Sequence, residues 1–132
     1  MPTVNGKITT STIAQPPGPW SSAIEVKPGA RYVFTAGLVG VKPDGTYDAD
    51  IASQTEQVYR NLSAILSAAG MTFDHIVKLI TYLTDISDQP EYSKARQPLW
   101  GDVRPAMTLV EVTRLARPGI KVEIEAIAAK HD

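Results

Sequence analysis

Apolar residues along this chain recur with two periods, and the switches between them mark its elements. Between Asp50 and Ala69, the residues Ile51, Val58, Leu62, Ile65, Leu66 and Ala69 fall at three- and four-residue spacing. That spacing gathers them into one stripe of an amphipathic helix. Asp48 or Asp50 can cap its start, and Gly70 stands where a helix end needs a left-handed residue. A second helix is predicted over Pro90–Trp100, with Ser87 or Asp88 near its cap and Pro90 in the first turn. Period two predicts strands over Arg31–Ala36, His75–Thr84, Ala106–Arg114 and Lys121–Ala129. Val4–Thr12 alternates weakly as an edge strand, and Ala23–Val26 is a short one. The run Gln15–Trp20 holds three prolines and stays irregular, because proline lacks an amide donor and fixes φ. Gly37–Val41 carries two glycines, at Gly37 and Gly40, which predict a bulge or a close backbone approach. Strands, helix, strand, helix and strands in that order predict an α+β fold, with two helices on one face of a sheet.

The closing strands say which faces are buried. Val122, Ile124, Ala126 and Ala128 share the face a helix layer needs, so Glu123, Glu125 and Ile127 point away from it. In the preceding strand, Met107, Leu109 and Glu111 oppose Thr108, Val110 and Val112. A face carrying Met107, Leu109 and Ile127 among charges is too apolar for open water, which predicts burial against another subunit.

Composition narrows the function. The 132 residues are 43% hydrophobic with a net charge of -1, which excludes a disordered chain and suits one domain over residues 1–132. Thirteen basic against 14 acidic side chains argue against a nucleic-acid partner. Without cysteine there is no disulfide, thiolate metal site or cysteine nucleophile. No apolar run is long enough for a membrane span, and the first residues, MPTVNGKITTST, lack the features of a secretion signal; a cytoplasmic protein is expected. His75 and His131 have no second ligand at metal spacing, so neither metal nor cofactor is expected. The GLVG segment lacks the lysine of a phosphate loop, and no GxSxG elbow is present.

Several segments point to one family. These are Gly18-Pro19-Trp20, Thr35-Ala36-Gly37, the helix with Gln54, Asn61-Leu62 and Ala68-Ala69-Gly70, and the blocks VEVTRL and VEIEAIA. With them the chain resembles the RidA/YjgF (Rid) family of enamine/imine deaminases nearly end to end. The resemblance implies a chorismate-mutase-like subunit, a homotrimer, and a small-molecule site in a cleft between subunits. It also implies where this chain departs from the family. The arginine that binds a substrate carboxylate falls at Met107, the family serine at Ala36, its tyrosine at Trp20, and a small residue at Leu109. The glutamate that orients or protonates through water is retained as Glu123. Arg104, three residues before the arginine position, and Arg114 are the nearby candidates for a relocated anion site.

The expected site therefore has Glu123 as its catalytic group and Trp20, Ala36, Gly37, Met107, Leu109 and Arg104 around the ligand. It belongs to a hydrolase or deaminase of a small imine, enamine or related compound, outside the arginine-dependent branch. The competing reading is a ligand-binding or chaperone-like trimer without turnover. A pocket with apolar walls, Trp20 and one carboxylate predicts preference for neutral or amine-bearing ligands.

Overall fold

The computed structural model describes residues 5–132. Strands β1 (Asn5–Ile8) and β2 (Ala23–Val26) pair antiparallel as a separate ribbon. The predicted first strand thus shrinks to four residues; Val4 lies outside the described residues. Next come β3 (Arg31–Phe34), β4 (Leu38–Val39), α1 (Ile51–Ala68), β5 (Ile76–Leu83), α2 (Gln89–Trp100), β6 (Ala106–Glu111) and β7 (Val122–Lys130). The five strands from β3 onward make one mixed sheet. β7 pairs antiparallel with β3 and β4 on one side and with β5 on the other, while β6 joins β5 in parallel at the edge. The parallel pair needs a crossover, and α2 supplies it.

Helix α1 begins where Asp50 accepts from the Ser53 amide at 2.9 Å. It ends with Gly70 at φ +70°, the Gly70 amide bonded to the Ser67 carbonyl and the Met71 amide to that of Leu66. This paired closure satisfies carbonyls the helix would otherwise leave open. Its buried arc includes Ile51, Val58, Tyr59, Leu62 and Leu66; Ile65, expected inside the stripe, lies at its rim and is exposed. α1 and α2 pack together over Leu79, Leu83, Val122 and Ile124 to form the core. β6 stops at Glu111 rather than Arg114, because its partner β5 ends at Leu83, whose carbonyl takes the last amide bond, from Val112 at 2.8 Å.

Register corrects one expectation. In β5, Leu79 and Thr81 are buried beneath the helices, and they pair with Met107 and Leu109 of β6 and with Ala126 and Ile124 of β7. Paired residues share a face. Met107 and Leu109 therefore lie on the helix face, where both pack against the core, and not beside Ile127. A parallel neighbour aligned odd to odd takes its orientation from β5, which an isolated reading of β6 does not reveal. The opposite face also carries apolar residues: Tyr32 and Phe34 stack there with ring centroids 6.0 Å apart, Phe34 beside Ile127, while Ile80 and Val110 lie on the same face of β5 and β6. Phe34 is 70% exposed.

The break between β3 and β4 is tightly held. Thr35 donates its amide to the Ala126 carbonyl and accepts the Ala126 amide on its hydroxyl, both at 3.0 Å, so the ladder continues through a side chain. Asn61 of α1 donates to the Val39 and Val41 carbonyls at 3.1 and 2.9 Å. Gly40 lies against the backbone of α1: a β-carbon there would sit 2.4 Å from the Gln54 carbonyl oxygen. The close approach predicted from the glycines is present at both.

Candidate functional site

The proline-rich loop, α2 and β6 enclose a cavity of about 390 Å³. Trp20 is held there because its ring lies across Gly18, where a β-carbon would come within 2.2 Å of the ring. Ser21 fastens the loop to β6: its amide donates to the Pro105 carbonyl at 2.9 Å and its hydroxyl to the Arg104 carbonyl. Met107 and Leu109, alternating along β6, complete the apolar wall with Trp20. Tyr92, Ser93 and Arg96 of α2 close the other side.

Glu123 is elsewhere. Its residues in register are Val39 and Tyr82, on the face away from the helices. Its carboxyl lies against bare backbone at Gly37, where a β-carbon would be 2.4 Å from Oε2. Ala36 is exposed at the same break. Tyr82 donates its hydroxyl to Glu125, a hydrogen bond that leads the causes raising the Tyr82 pKa above its ordinary value. Glu125 is thereby occupied.

The expected site thus comes apart into two halves in one subunit. Trp20, Met107 and Leu109 stand on the helix side of the sheet, and Ala36, Gly37 and Glu123 gather at the opposite side. Strand β5 separates β6 from β7, so the halves are about 10 Å apart across the sheet even before the change of face. Arg104 contributes only its backbone to this region; its side chain is exposed and outside the cavity wall. Arg114 lies in the β6–β7 connection, on a separate cavity of about 450 Å³ with Arg117 and Lys121.

Sequence reasoning missed Arg96. It is 5% exposed, its guanidinium carbon lies 5.3 Å from the Tyr92 ring centroid and 5.7 Å from that of Trp100, and its Nε has no hydrogen-bond partner. The signal was available, because Tyr92, Arg96 and Trp100 are four residues apart and share one helix face. Nearby, the Tyr92 hydroxyl bonds to those of Tyr59 and Thr81, the latter at 2.9 Å. Burial, followed by the neighbouring Tyr92, pushes the Tyr59 phenol well above its ordinary pKa. Among the described residues no three histidines or acids cluster as metal ligands, and no helix is long and apolar enough to cross a membrane. His75 takes the Thr72 amide on Nδ1 at 3.0 Å and serves its own turn.

A family model described as Endoribonuclease L-PSP matches residues 10–130. The chain belongs to this family, the Rid family. A RutC family protein of Pyrococcus abyssi is 35% identical over 93% of this chain and 95% of its own length. The Escherichia coli K12 protein named 2-iminobutanoate/2-iminopropanoate deaminase is 32% identical over 86% of this chain and 88% of its own. Among solved structures, a Rid-family protein of unknown function from Yersinia pestis superposes with a TM-score of 0.81 at 29% identity, covering 95% of this chain and 98% of that one. The Rid relatives named as deaminases support an imine-related role at the level of the family.

Proposed function

We propose that the chain hydrolyses a small imine or enamine in a cleft formed between copies of itself in a homotrimer, outside the branch that holds its substrate through an arginine on β6. The observation that carries this reading is the Glu123 carboxyl lodged against bare backbone at Gly37, on an apolar face that carries Phe34 at 70% exposure. Hydrolysis of a C=N bond adds water to carbon, protonates nitrogen and expels ammonia. A carboxyl group beside an open backbone can relay both protons through one water. A subunit offers the two half-sites on opposite faces, so a cleft holding both requires a second copy. Among the described residues, the outer edge of β6 is unpaired beyond the bridge from Ser21 to Ala106, which leaves it free to meet one.

Neutral imines released in place by an amine oxidase, beside the 2-imino acids released by an amino-acid oxidase, provide the assay, with ammonia as the readout. Wild type should accelerate ammonia release, and Glu123→Gln should abolish the acceleration while sedimenting as the same oligomer. Binding without turnover of any imine would overturn hydrolysis in favour of a ligand-binding trimer. A monomer at micromolar concentration would overturn the intersubunit cleft.

A further inference from the structure

Arg96 is a buried cation without a counterion. Among the described residues the ion pairs are Lys27–Glu25, Arg31–Asp132, Lys42–Asp48 and Lys130–Asp132; none includes Arg96. Its guanidinium lies on the Tyr92 ring and beside the Tyr59 hydroxyl, toward which it donates. Tyr59 stays a neutral phenol, since burial holds its proton on. The rings of Tyr92 and Trp100 stabilise the guanidinium in part through their π faces. They leave its full positive charge in place, and Nε still lacks an acceptor. Removing a charge from water is costly unless a partner offsets it.

The missing partner has room beside it. Arg96 forms part of the wall of the 390 Å³ cavity and is the one charged residue in that wall. The remaining surface includes the apolar Trp20, Met107 and Leu109 and the polar Gln89 and Ser93. Such a volume suits a small ligand, and a planar guanidinium matches a carboxylate better than any other common anchor.

We propose that Arg96 is an anion anchor, placed on α2 instead of β6, and that the cavity takes a small monocarboxylate whose planar or apolar body lies between Trp20 and Met107. This rests on the preceding reading only in that the cavity is one half of the proposed cleft; the binding itself needs no turnover. It replaces the expectation of neutral ligands. That expectation assumed Glu123 as the main charge of the pocket, whereas the register puts Glu123 on the other face and the helix brings in a cation.

The probes are benzoate against benzamide, and 2-oxobutanoate against its amide, titrated calorimetrically and by tryptophan fluorescence. Wild type should prefer each acid by on the order of tenfold to a hundredfold, the range expected of a charge-assisted hydrogen-bonded pair. Arg96→Met keeps the apolar stem and removes the charge; it should lose the preference while melting no lower than wild type. Arg96→Lys should keep part of it. Should Arg96→Met fail to fold, Ser93→Leu, which fills the cavity from a less buried position, should block the acids instead. Equal affinity for acid and amide in wild type overturns the proposal, as does an acid preference that survives Arg96→Met. Glu123→Gln separates the two readings. A lost turnover with intact acid preference is expected there. Absence of turnover in wild type with that preference intact sinks only the hydrolase. Turnover of neutral imines with no acid preference sinks only the anchor.

Discussion

Gly37 and Gly40 stand three residues apart, and adding one methyl group to each should have opposite effects. At Gly40 the new carbon would lie 2.4 Å from the Gln54 carbonyl oxygen and 2.8 Å from the Gln54 Cα, both backbone atoms of α1. Restoring ordinary contact requires the β4 segment to retreat by roughly 1 Å. That retreat strains the two hydrogen bonds from Asn61 to Val39 and Val41. Overpacking of this kind costs about 1–3 kcal/mol, and each bond about 0.5–1.5 kcal/mol. Gly40→Ala should therefore destabilise the protein by about 2–6 kcal/mol, which lowers the melting temperature by on the order of 10 °C. At Gly37 the obstacle is the Glu123 carboxyl, the mobile end of a side chain. Gly37→Ala should cost less than about 1 kcal/mol, because the carboxyl can rotate away. It should nevertheless remove turnover, since Glu123 then no longer faces the open backbone. Denaturant melts at one fixed protein concentration, paired with the ammonia assay, read both effects. A Gly40→Ala protein melting within about 2 °C of wild type would refute the packing argument. Full activity in Gly37→Ala would refute the role proposed for the Glu123 carboxyl.

Three further outcomes follow from the same structure. Phe34→Asp should weaken self-association without unfolding the subunit, because the ring is 70% exposed and lies off the core; sedimentation at several concentrations checks this. Tyr92→Phe should cost about 1–3 kcal/mol in a denaturant melt, since it strands the buried hydroxyls of Tyr59 and Thr81. Acid should loosen the start of α1: the Ser53 amide bonded to Asp50 holds that carboxyl below 3.8, so its contribution is present above that value and is lost as pH falls through the lowered pKa. Asp50→Ala should flatten this part of the acid-stability curve.

Elements with a strong period were legible in the sequence. The α1 stripe, its Asp50 cap and its Gly70 terminus follow from local chemistry, and β7 announces itself by alternation. The resemblance to the Rid family added what periodicity could not, the correspondence of Trp20, Met107 and Glu123 to known site positions. What stayed hidden depends on partners distant in sequence. The facing of Met107 and Leu109 is set by Leu79 and Thr81 through a parallel register, about thirty residues away. Arg96 was concealed differently. A charged residue on a helix is ordinarily read as solvated, and only its spacing from Tyr92 and Trp100 shows that it is turned inward.

The position of β7 also bears on how the molecule comes into being on the ribosome. It is the last described strand to be synthesised, yet it joins β3 and β4 to β5 through the middle of the sheet. Arg31 finds its partner Lys130 about a hundred residues downstream. Until that segment emerges, β3 and β4 have no neighbour in the sheet, and α1 lacks Val122 and Ile124 to pack upon. The nascent chain therefore carries its aromatic strand Arg31–Phe34 unpaired until β7 emerges, and β3 and β4 join the β5–β6 pair only then. Amides of β3 and β7 should accordingly gain exchange protection together, as a single cooperative unit.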